Sequence, residues 1–195
     1  MDNLLIQTAK ETDRMAIAKV IAYAFEKDFA SLINDMDKVA LALEPGVDVS
    51  RFFIAKLKNQ IIGVIACSDC NGRAMSVNKR AFRKNFGLLR GILANFFMAP
   101  EFSGILPYPN STGYIEFVAV TEDARNKGVA TAMLKTLIEQ TRYSDYMLDV
   151  TDINIAAQAC YKRFGFVEVR REKVKYSKQK GFSEKIYMSY PKKAG

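Results

Sequence analysis

The chain has 195 residues, 49% apolar and 26% charged, which suits one domain over 1–195 with a core large enough to need no staple. Its three cysteines (Cys67, Cys70, Cys160) and the lack of any histidine exclude a disulfide framework and a four-ligand zinc site built on the Cys67/Cys70 pair. The formal charge of +8 gathers at 79–90, 125–127 and 170–180 without a nucleic-acid recognition pattern, and no apolar run reaches the ~18 residues of a membrane span.

From this composition the expected setting is reducing and cytoplasmic, with no leader at the acidic N-terminus, no metal, and neither membrane nor nucleic acid as partner. Residues 4–8 read as a short strand. Thr12 or Asp13 then caps a helix whose buried stripe is Ile17, Val20, Ile21, Ala24 and Phe25. A second helix spans 35–43 and ends at Pro45 and Gly46. The runs 51–57 and 61–67 flank Lys58, Asn59 and Gln60 as a hairpin. In the segment 68–112, Phe82, Phe86, Leu89, Leu93 and Phe96 fall on one helical face, read as core or as a lid. The proline-rich stretch 100–112 reads as a loop.

The run GYIEFVAV at 113–120 is the clearest strand, closed by Thr121 and Glu122, and a helix follows over 128–140. A short strand at 146–150, a helix over 154–163 that stops at Gly165, and terminal strands at 166–176 and 182–190 complete the order. Strands and helices in this succession predict an α/β sandwich around a mixed sheet.

Arg125, Asn126, Lys127, Gly128, Val129 and Ala130 lie between the strongest strand and a strong helix. A helix start offers unpaired N–H groups and a positive dipole end, and Gly128 lets the backbone approach an anion closely. The spacing fits neither the mononucleotide nor the dinucleotide glycine fingerprint. On these residues alone the loop is a phosphate or pyrophosphate site, or an ordinary connection with solvated cations.

The run YIEFVAVTEDARNKGVATAML resembles the central motif of the GNAT superfamily of N-acetyltransferases, which has Arg or Gln, two residues, Gly, one residue, then Gly or Ala. Arg125, Gly128 and Ala130 supply it, and Asn154, Ala157 and the run Tyr161 to Phe166 match the next block of the family. The likeness is tight over 113–168, looser over 1–66 and essentially absent over 68–112. It implies a GNAT-type α/β sandwich around a central mixed, mostly antiparallel sheet, with 68–112 as a family-variable insertion.

The resemblance further implies acetyl-coenzyme A (acetyl-CoA) as cofactor and an acetyl transfer to an amine by direct attack in a ternary complex. The fourth strand would splay from the fifth, with pantetheine bonded near Val118, Ala119 and Val120. The pyrophosphate would rest on the N–H groups from Arg125 through Asn126, Lys127, Gly128, Val129 and Ala130 to Thr131, and Asn154 would meet the pantetheine arm or cap its helix. Tyr161 is either the proton donor to the leaving thiolate or a packed aromatic. Glu116 is either the base or a solvent-facing residue on the side that strict alternation gives to Tyr114 and Val118, unless a bulge breaks that pattern. The acceptor is a small-molecule, peptide or protein amine, for which Glu26, Asp28, Glu101, Asp149 and Asp152 are candidate acidic walls. Homodimers are frequent in the family. Two other classes remain open: a module that senses acyl-CoA without turnover, and a basic nucleic-acid-associated protein.

Overall fold

Phe52 to Ala55 are four buried residues in succession, so their strand is apolar on both sides and needs cover on both. A computed structural model of the chain describes residues 3–29, 33–175 and 177–191. The strands are β1 (Leu5–Thr8), β2 (Phe52–Leu57), β3 (Gln60–Ser68), β4 (Thr112–Val120), β5 (Asp145–Thr151), β6 (Val167–Lys173) and β7 (Glu184–Pro191). The helices are α1 (Arg14–Ala24), α2 (Glu26–Phe29), α3 (Met36–Leu43), α4 (Lys79–Phe86), α5 (Leu88–Ser103), α6 (Val129–Gln140), α7 (Ile155–Phe164) and α8 (Ser177–Lys180).

Among the described residues the strands form one sheet in the order β1-β2-β3-β4-β5-β7-β6. Only the β4–β5 pair is parallel, so the sheet is mixed and mostly antiparallel as expected. One face packs Phe52, Ile54, Val64, Ala66 and Ala119 against Ile17 and Ile21 of α1, Val39 and Leu43 of α3, Phe82 and Phe86 of α4, and Ala94 and Met98 of α5. The other packs Phe53, Ala55, Ile65, Ile115, Leu148 and Ile186 against Val129, Met133 and Leu137 of α6 and Tyr161 of α7.

Most expected elements are present with small shifts at their ends. Asp35 caps α3 through the N–H of Lys38 at 3.1 Å. Asp13 precedes α1 but does not cap it. Its carboxylate accepts from the Lys10 N–H at 2.9 Å and pairs with Lys56 at 3.1 Å. The expectation of one apolar face from Phe82 to Phe96 is corrected. Gly87, with φ of +80°, ends α4 and starts α5, so the phase restarts there. Phe82 and Phe86 are buried, whereas Leu89 and Leu93 face solvent, and the side chain of Phe96 lies outside the described residues.

The loop expected from residue 100 begins only at Gly104, because Pro100 is carried within α5. At the C-terminus, β6 ends at Lys173 and α8 forms in the turn before β7; Tyr176, expected to end the first strand, lies outside the described residues.

The segment 68–112 is stitched to the end of α3. Val47 bridges Met75, the Ser76 N–H donates to the Gly46 carbonyl at 2.9 Å, and the Asp48 N–H to the Ala74 carbonyl at 2.9 Å. A Cβ at Gly46 would sit 1.9 Å from the Ser76 carbonyl oxygen. Gly46→Ala should therefore cost about 2–3 kcal/mol and lower Tm by roughly 5–10 °C in a thermal melt. An unchanged Tm would mean that this junction yields without loss.

Candidate active site

The site begins with a break in strand pairing. β4 pairs with β5 only at Thr112, Gly113 and Tyr114, opposite Asp145, Tyr146 and Met147. The closed end is fastened by the Thr112 hydroxyl, which donates to Asp145 at 2.7 Å. Beyond Tyr114 the two strands part, while β5 stays paired with β7 along its whole length. The β5-facing edge of β4 through Val118, Ala119 and Val120 thus has no strand partner.

A bulge in β4 accompanies the parting. Ala66 opposes Glu116 and Val64 opposes Ala119, so Ile65 faces two residues, Phe117 and Val118. Phe117 takes φ of +51°, a left-handed conformation uncommon for a residue with a Cβ. The bulge breaks the alternation expected from sequence. Glu116 and Phe117 lie toward α1, with Ala66 and Phe52 respectively, whereas Val118 and Val120 pack on the α6 face.

At the far end of β4, Gly128 with φ of +79° precedes α6. The backbone N–H groups of Asn126, Lys127, Gly128, Val129, Ala130 and Thr131 make no hydrogen bond among the described residues, and nothing lies within 4 Å of where a Gly128 Cβ would be. Arg125 and Lys127 are exposed and form no ion pair among the described residues. Such a row of aligned donors is an anion cradle.

The second motif block lies beside the first. The Thr131 hydroxyl and the Cys160 thiol are 3.7 Å apart, joining α6 to α7. Asn154 caps α7 by accepting from the Ala157 N–H at 3.1 Å, and Gln158 ties the helix to the end of β5 through the Thr151 and Asp152 carbonyls, both at 3.0 Å. Tyr161 is 7% exposed and packs in the cluster that holds Val118, Val120 and Val129. Its hydroxyl meets no hydrogen-bond partner among the described residues. Burial pushes this phenol well above its ordinary range, with Cys160 and Asp149 adding to the effect.

Glu116 is not solvent-facing. Its Oε1 accepts from Arg73 Nε at 3.0 Å and from the second guanidinium nitrogen, and its Oε2 accepts from the Ser68 hydroxyl. Ser68 Oγ in turn accepts from the Ala74 N–H at 2.7 Å, and Arg73 also donates to the Gly104 carbonyl at 3.1 Å. Arg73 and Ser68 were not foreseen, because both belong to the stretch whose pattern matched nothing. Beside them the Tyr114 hydroxyl donates to Asp149, Tyr108 stacks on Tyr114 at 5.5 Å, and Lys185 pairs with Asp149 at 3.3 Å. Of the expected acidic residues whose side chains are described, only Asp149 is brought to this cluster. Asp152 accepts from the Ser183 N–H at 3.1 Å, Glu26 is exposed on α2, and the side chains of Asp28 and Glu101 lie outside the described residues.

Arg73 and Glu116 form a largely buried pair, and removing one partner strands the other charge. Arg73→Met should cost about 3–5 kcal/mol in urea unfolding. The double variant Arg73→Met/Glu116→Gln should recover a substantial part of that loss, and a purely additive result would show that the two side chains are not coupled.

The family model described as "Acetyltransferase (GNAT) family" matches residues 21–166, most of the chain. Comparison with curated proteins finds no match. Among solved structures, an N-acetyltransferase from Staphylococcus aureus Mu50 superposes with a TM-score of 0.64 at 17% identity, covering 95% of this chain and 100% of that one. A putative acetyltransferase from Salmonella typhimurium, solved with its cofactor acetyl-CoA, gives 0.61 at 15% identity, covering 100% and 97%. A ribosomal-protein-alanine N-acetyltransferase from Brucella melitensis gives 0.59 at 17% identity, covering 97% and 100%. At such identities the likeness speaks for the fold, and the family match supplies the rest: the chain belongs to the acetyltransferase (GNAT) family.

Proposed function

We propose that the protein transfers an acetyl group from acetyl-CoA to an amine by direct attack in a ternary complex. The observation that carries this reading is the parting of β4 from β5, with an unfilled row of N–H donors at its end. The donor set suits the ligand. The N–H groups of Asn126 to Thr131 with Arg125 and Lys127 would hold the pyrophosphate, and the unpaired edge at Val118–Val120 would bond the pantetheine amides. Asn154 spends its carbonyl oxygen on the helix cap and keeps its amide nitrogen for the same arm.

Acetyl-CoA would supply an activated thioester carbonyl. The N–H of Val118 would stabilise negative charge on that carbonyl oxygen. Tyr161 would give its proton to the departing sulfur, a role that also explains a buried hydroxyl with no partner. Burial, which raises its pKa, keeps the phenol protonated. Glu116 would accept the amine proton on Oε2, the oxygen that accepts from the Ser68 hydroxyl. Cys67 is no nucleophile for an acyl-enzyme, since burial pushes its thiol up to about 12.

The test is free-thiol release from acetyl-CoA with a panel of small amines and amino-terminal peptides. Tyr161→Phe should lower kcat roughly tenfold to a hundredfold and leave KM for acetyl-CoA within about threefold. If the cofactor binds but no amine in the panel is acetylated, the chain is a sensing module and the catalytic reading fails.

A further inference from the structure

Residues 70–100 contain six Lys or Arg and no Asp or Glu. Five of these cations, Lys79, Arg80, Arg83, Lys84 and Arg90, are exposed on α4 and α5, and none forms an ion pair among the described residues. In the same hairpin α5 carries a second apolar face. Gly91, Ala94 and Met98 turn inward, whereas Leu88, Leu89, Ile92 and Leu93 occupy the opposite side of the helix, 63%, 81%, 47% and 47% exposed. One exposed aliphatic residue is ordinary, but four on consecutive turns, in a hairpin that carries uncompensated charge, make a surface that water covers poorly. A helix apolar on both sides calls for cover on both.

We infer that the α4–α5 hairpin docks on an anionic lipid bilayer. The aliphatic stripe would enter the boundary between headgroups and acyl chains, while the flexible Lys and Arg stems carry their charges to the lipid phosphates. Other covers fit less well. A second copy packed on this face would bring cation against cation. A nucleic acid would use the charge and leave the aliphatic stripe uncovered, since that stripe offers no ring for base stacking. The docking is peripheral, so it needs no spanning helix, and among the described residues no helix is long and apolar enough to cross a membrane. This proposal departs from the expectation of no membrane partner.

Co-sedimentation of the full chain with vesicles tests the inference. Binding to a phosphatidylcholine–phosphatidylglycerol mixture should exceed binding to phosphatidylcholine alone roughly tenfold or more, and should weaken with salt. Arg83→Gln/Lys84→Gln and, separately, Leu89→Ser/Leu93→Ser should each lower binding to the mixed vesicles about tenfold, with melting temperature and thiol release unchanged. Equal binding to both vesicle types, or none, overturns the inference. So does a Leu89→Ser/Leu93→Ser variant that still binds vesicles fully and also binds duplex DNA like the wild type, because generic polyanion attraction then suffices. A wild-type dimer that the leucine substitutions dissociate, with no vesicle binding, would assign the stripe to self-association instead.

Discussion

Phe117 sits in the middle of a strand with a left-handed backbone, and the layout of the site follows from that residue. Such a conformation costs about 1–3 kcal/mol for a residue with a side chain, so its surroundings must hold it in place. They do so through aromatic packing: the Phe117 ring lies 6.0 Å from Phe52 and 5.5 Å from Phe102, contacts that regular alternation would have pointed to the other face. The extra residue bends β4, and a strand bent in this way leaves its parallel neighbour after three pairs. The parting exposes backbone that an extended ligand arm can pair with. Gly128 then adds the anion cradle where the strand has delivered the chain.

The same bulge separates the two halves of the chemistry. Glu116 stays on the α1 face with Ser68 and Arg73, while Val118 and Val120 share the opposite cluster with Tyr161. In the proposed reaction the carboxylate on one side of the sheet would act as base and the phenol on the other as proton donor, with the strand edge between them for the reacting carbonyl. Arg73 links this arrangement to the insertion. Through Glu116 it binds the bulged strand, and through the Gly104 carbonyl it binds the end of the segment that carries α4 and α5. The segment that carries α4 and α5 is therefore tied to the carboxylate proposed as the base.

Legibility from sequence followed the range of the interactions. β4, α6 and α7 were readable because a strong apolar period, a glycine before a helix and an asparagine cap are local signals, and the structure keeps all three. The sides of the sheet that Phe117 and Val118 occupy depend on a bulge held by Phe52 and Phe102, which are distant in sequence. The Glu116 partners Ser68 and Arg73 were hidden by the same distance, as was the Tyr114–Asp149 contact across the parted strands. In α4–α5 the helical period was real, but a single glycine at 87 reset its phase, and one expected face became two.

The cradle at α6 and the free edge of β4 are asserted to act as one coenzyme site, and amide chemical shifts can address both at once. Titrating coenzyme A into isotope-labelled protein should shift the amides of Asn126 to Thr131 and of Val118 to Val120 together, along one saturating curve. Saturable binding that leaves both groups unmoved, or shifts only one of them, would contradict that assignment.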